Sequence, residues 1–86
     1  MTDVDLLVEC KKGLGISGNG LDPLLNQKIV AVKAFMMGAG VSEEKIVSEL
    51  GVGAVVLGVT DLWEMRSGEV KFSPVFFTLV NQLTAG

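Results

Sequence analysis

Few residues in this chain could do chemistry, and the missing types narrow the field most. There is no histidine and no tyrosine, and cysteine occurs once, at Cys10. A zinc site assembled from Cys and His is therefore excluded. No Ser–His or Cys–His pair can form, so the usual activated nucleophiles are lacking too. One cysteine allows no internal disulfide. Cys10 falls on a helix face with Leu6 and Leu14, where a thiol packs as a small hydrophobe. The carboxylates are spread over helix ends and polar faces. Glu43 and Glu44 are adjacent, but consecutive helix residues point in different directions. Their position suits interaction with a helix N-terminus. The pattern Gly13-Leu14-Gly15-Ile16-Ser17-Gly18 reads G-x-G-x-x-G. A dinucleotide site needs a strand before that pattern and a helix opening inside it. Here a predicted helix precedes it, and Asn19-Gly20 continues the loop. Neither a catalytic residue, a metal nor a cofactor is expected.

The elements that would have to position any site are short helices. The chain has 86 residues, enough for one small domain. Leu6, Cys10 and Leu14 form a stripe over a first helix, Asp3 to Gly13, with acidic residues at its start and Lys11 and Lys12 at its end. Asp22-Pro23 opens a second helix, Asp as N-cap and Pro in the first turn. Leu25, Ile29, Val32 and Met36 make one face of it, and Leu24, Val30, Ala34 and Met37 leave the rest nearly apolar, with only Gln27, Lys28 and Lys33 marking a wet side. A helix apolar most of the way round is either central or shared with a neighbour. Ser42 opens a third helix and Gly51 closes it. A fourth runs from about Gly53 to Glu64; the β-branched residues there suggest a strand, but alternation fails at Val55-Val56-Leu57. Glu69-Val70-Lys71-Phe72 alternates polar and apolar as a short extended segment does. Ser73-Pro74 opens a fifth helix, with Phe76, Leu79, Val80 and Leu83 on its face and Phe77 on the flank. The expected class is all-α: a small bundle of four to five short helices, with an extended segment or hairpin near residues 66–72.

Composition points to a partner. Apolar residues make up 49% of the chain, and mean hydropathy is +0.52. A chain this short buries only roughly 60–65% of its unfolded surface, so part of the apolar excess should be covered by another molecule. A well-packed, greasy monomer is the competing reading. The charge-free stretch Leu50 to Thr60 falls short of the about 20 apolar residues of a membrane span. The acidic start, with Asp3 and Asp5, lacks the basic opening of a secretory signal, so the chain is expected to stay in the cytosol. Net charge is −3, and the seven basic residues are scattered. That balance disfavours gripping DNA, whose binding needs matching Lys and Arg. Ser42 to Trp63 has the outline of a helix-turn-helix. Its second helix, however, offers only Thr60 and Asp61 as polar groups between residues 52 and 63, and a recognition helix needs Arg, Lys, Asn or Gln.

The segments Gly53 to Trp63, Ser67 to Phe76 and Leu79 to Leu83 resemble phage and prophage head–tail connector proteins, also called adaptors or DNA-packaging proteins. The Thr60-Asp61-Leu62-Trp63 and Lys71-Phe72-Ser73-Pro74 blocks are the most specific parts, and the resemblance covers nearly the whole chain. It implies a virion protein, held in the host cytoplasm before assembly. Such proteins form a homo-oligomeric ring, commonly of about twelve copies, beneath the portal protein. The ring extends the channel through which DNA passes as cargo, and it offers a surface to a tail-side completion or stopper protein. The family brings no catalytic residue. This chain is shorter than many relatives, which often continue past the last helix.

A ring needs heterologous interfaces, one patch meeting a different patch on the neighbour. The face Leu25, Ile29, Val32 and Met36 is a candidate for one side, and Trp63, Arg66, Val70 and Phe72 for the other. Asp61, Glu64 and Glu69 are candidates for the channel wall, where carboxylates would keep DNA phosphates from adhering. The alternatives are a helix-turn-helix module and a small dimeric helical interaction domain.

Overall fold

The computed structural model describes residues 5–64 and 72–85, apart from the side chain of Glu64. Among these residues five helices follow in chain order: α1 (Leu6–Leu14), α2 (Asp22–Gly38), α3 (Glu43–Ile46), α4 (Glu49–Glu64) and α5 (Pro74–Ala85). Among the described residues there is no strand, and the chain is a small all-α bundle, as expected. The extended segment expected near residues 66–72 lies outside the described residues except for Phe72, which is irregular.

Local chemistry explains most boundaries. Asp5 caps α1, its Oδ1 accepting from the Leu7 and Val8 N–H groups at 3.1 and 3.3 Å. Gly13 was expected to end this helix but lies inside it, and Gly15 closes it with φ 70°. A Cβ on Gly13 would meet Val56 Cγ1 at 2.6 Å, so that glycine permits close approach of α4. Asp22 was expected to cap α2. It is the first helical residue instead, after Leu21, and its Oδ1 accepts from Lys11 Nζ at 2.9 Å. That pair ties the end of α1 to the start of α2. Gly40 turns the chain after α2 with φ 105°.

The third helix is shorter than expected and the fourth longer. Ser42 caps α3 through the Lys45 N–H at 3.3 Å, yet only four residues follow before the helix ends at Val47. Ser48 Oγ then accepts from the Gly51 N–H at 3.2 Å, which is the cap of α4. Gly51 therefore stands in the first turn of α4 and does not close α3. A Cβ there would overlap the carbonyl oxygens of Lys45 and Ile46, so only glycine fits the elbow between the two helices. Ser73 Oγ accepts from the Phe76 N–H at 3.3 Å and caps α5, as its Ser-Pro start predicts.

α4 is the centre of the bundle and packs against each of the other four helices. Its Ala54, Val55 and Val59 are buried against Leu6 and Cys10 of α1, the Leu25-Ile29-Val32-Met36 face of α2, and Phe76, Val80 and Leu83 of α5, with Val41 and Ile46 closing one end. Fully burying each large apolar side chain contributes about 1.5–3 kcal/mol. Gly58 is the notch where α2 and α5 close on α4: a Cβ would lie 2.6 Å from Phe76 Cε1 and 2.9 Å from Val32 Cγ1. The molecule measures 37 × 36 × 17 Å between Cα extremes. Its short dimension holds barely two layers of helices each about 10–12 Å across. With so few layers, every helix except the central one keeps an outward side.

Candidate interaction surface

The structure moves one of the two expected interface patches into the core. Leu25, Ile29, Val32 and Met36 are buried inside this chain and are not available to a partner. The reason is that α4 lies under that stripe and covers it with its own valines. The uncovered part of α2 is the opposite side, with Leu24, Val30, Phe35 and Met37 exposed. Every exposed residue of α2 is uncharged: Lys28, Lys33 and Asp22 are half-buried at its flanks.

The second expected patch is partly described. Trp63 is half-buried and packs against the core cluster. Phe72 is half-buried as well, its ring stacked on buried Phe76 at 4.4 Å. Arg66, Val70 and Glu69 lie outside the described residues, as does the side chain of Glu64. Asp61, expected to face a channel, is half-buried and its Oδ2 accepts from the Ser73 N–H at 2.9 Å. It anchors the entry to α5, which explains a polar group near the end of an apolar helix.

Phe72 belongs to a cluster of all four phenylalanines of the chain. Phe35 of α2 lies 5.1 Å from Phe72, 5.7 Å from Phe76 and 5.9 Å from Phe77, centroid to centroid. Phe76 is the buried base of this cluster, while Phe35 and Phe77 remain 39% and 44% exposed. Offset and edge-on ring pairs of this kind add to plain area burial. Sequence reasoning did not single out Phe35. The signal was present in its position one turn after Ala31 on the flank shared with Leu24, away from the buried stripe.

The other candidate chemistry is absorbed by structure. Cys10 is fully buried. Burial, and after it the nearby Glu9 carboxylate, pushes its thiol up from 9.0 to about 11. The glycine-rich loop turns through positive φ at Gly15 and Gly18. At its far end Lys11 Nζ reaches Asn19 Oδ1 at 3.4 Å as well as Asp22. The following helix opens only at Asp22, after the glycine pattern and not inside it, so the loop lacks the arrangement of a dinucleotide site. In the helix-turn-helix outline, Thr60 Oγ1 donates to the Val56 carbonyl at 2.8 Å. Both polar groups of its would-be recognition helix are therefore engaged inside the chain. Among the described residues no three potential metal ligands cluster, and no helix is long and apolar enough to cross a membrane.

These features define a small all-α bundle whose core is closed around one helix and whose outer apolar side chains are partly uncovered. No family model, curated protein or solved structure matches the chain.

Proposed function

We propose that this chain is a structural subunit of a phage head–tail connector, assembling with copies of itself into a ring between the portal protein and a tail-side protein. The observation that carries the reading is the apolar surface left uncovered. Among the described residues ten large hydrophobics are exposed, Val30 most of all at 65%. Scattered exposed apolar residues are ordinary, but on α2 they lie along the broad side away from the core, beside Asn26 and Gln27 and with no charge among them, which favours burial by a partner. The resemblance of residues 53–63 and 67–76 to connector proteins supplies the kind of assembly. In such a ring the carboxylates of Glu64 and Glu69 belong to the channel wall, where DNA passes without being gripped. A net charge of −3 suits that passage.

Sedimentation velocity and native mass spectrometry on the purified chain, alone and with purified portal protein, test this reading. The expected result is a closed oligomer, formed alone at high concentration or on the portal. A chain that stays single up to about 1 mM, a concentration that would populate even contacts near −4 kcal/mol, and that ignores the portal overturns it.

A further inference from the structure

The internal ion pairs leave two sets of charges over, and they are of opposite sign. Lys11 pairs with Asp22 and Lys12 with Glu9, while Lys45 Nζ donates to the Leu83 carbonyl at 2.9 Å. Among the described residues, Lys28 and Lys33 are then the basic side chains with no such partner. Both edge the outer side of α2. Lys28 lies one turn from Leu24, and Lys33 one turn from Val30 and Met37. On the acidic side, Asp5 caps α1 and Asp61 holds Ser73. Glu43, Glu44 and Glu49 are exposed and make no ion pair among the described residues. They flank a second apolar patch at the α3–α4 elbow, where Val47 and Leu50 are 46% and 39% exposed.

We propose that these patches are the two halves of one contact: the outer side of α2, edged by Lys28 and Lys33, packs head-to-tail against the Val47–Leu50 elbow of a second copy, edged by Glu43, Glu44 and Glu49. This rests on the ring reading and names its surfaces. Charge selects the pairing. Packing α2 on α2 brings lysines to lysines, and packing elbow on elbow brings glutamates to glutamates. Only α2 against elbow joins opposite signs around the two apolar patches. A contact between two different patches is also the kind that closes into rings. α2 presents about 25 Å of helix, with Leu24, Ala31, Ala34 and Phe35 on its uncharged side.

Two charge-swapped chains test it: Lys28→Glu with Lys33→Glu, and Glu44→Lys with Glu49→Lys, each checked for helical circular dichroism and followed by sedimentation velocity. Each alone should lose self-association by at least about tenfold, as charge reversal at an interface rim produces. Their equimolar mixture should regain it, because each variant's altered patch meets the other's altered patch. The neutral pairs Lys28→Gln/Lys33→Gln and Glu44→Gln/Glu49→Gln should weaken association more mildly. They take the place of any swapped chain that does not fold. Should either swapped variant associate as the wild type does, or the folded mixture fail to recover, the contact is wrong while the ring reading stands on wild-type assembly. If the wild-type chain stays single at about 1 mM but assembles on the portal, the same variants are scored for that assembly with the same expected loss and recovery; a wild-type chain that does neither removes the connector reading itself.

Discussion

α2 and α4 look alike as sequences, since each is a helix of mostly apolar residues broken by few charges, yet they meet opposite fates. From Gly51 to Trp63 of α4 only Gly53 is exposed, whereas α2 buries one stripe and leaves its other side to solvent. The difference lies in where the neighbours sit. α4 is packed against by all four other helices, whereas α2 meets α4, α1 and α3 on its buried side and α5 at Phe35, and its far side stays open. Apolar composition sets how much of a helix can be buried; topology sets how much is. The uncovered side of α2 is where the molecule has apolar surface to offer.

The contrast breaks most decisively at the point where α4 is sealed. Phe76 fills the notch at Gly58, and Phe76→Ala should cost about 3–5 kcal/mol in urea or thermal unfolding. Phe77→Ala, on the exposed side of the same helix, should cost less than about 1 kcal/mol. If the two were equal, α4 would not be the closed centre. A sharper test uses one residue type on one helix. Val32 is 0% and Val30 65% exposed. Val32→Ala should destabilise by about 2 kcal/mol. Val30→Ala should stay within about 0.5 kcal/mol in the isolated chain, with its effect appearing in self-association.

The smallest effect concerns pH. Cys10 is buried beside α4, and its thiol is held up to about 11 from 9.0. Above 9.0 the unfolded chain releases this proton while the folded chain keeps it. Stability should therefore fall as pH rises from 9.0 toward about 11. Cys10→Ser should flatten that part of the profile, measured by chemical denaturation across the range. The thiol should also react with a disulfide reagent only on unfolding.

Much of the bundle was legible in the chain. Leu6 and Cys10, the stripe Leu25-Ile29-Val32-Met36, and Phe76, Val80 and Leu83 sit at helical spacing and are buried, while their companions Leu14 and Leu79 are half-buried against the same core. Ser42 and Ser73 cap the helices they were expected to open. Misreadings gathered at glycines. Gly13 and Gly51 look like stops, but each lets another backbone or side chain come close, and a lone glycine carries no mark to tell the two uses apart. Ser48 was missed as a cap because the short α3 runs directly into α4. Asp61 was read as a surface charge, since its partner Ser73 lies twelve residues on across the bundle. The buried stripe of α2 was correctly seen as one face and wrongly offered to a partner, because nothing local distinguishes an apolar face covered from within from one covered from without.

By itself the sequence determined that this protein is built of short helices, where their apolar stripes run, and which chemistries its residue types exclude. Those properties follow from local spacing and side-chain type. Only the tertiary structure decided which stripe of α2 is core, which glycines are contacts, and which lysines and glutamates stay outside the internal pairs. Those outcomes depend on which helix ends up beside which, and covering an apolar face takes a neighbour that the face itself does not specify.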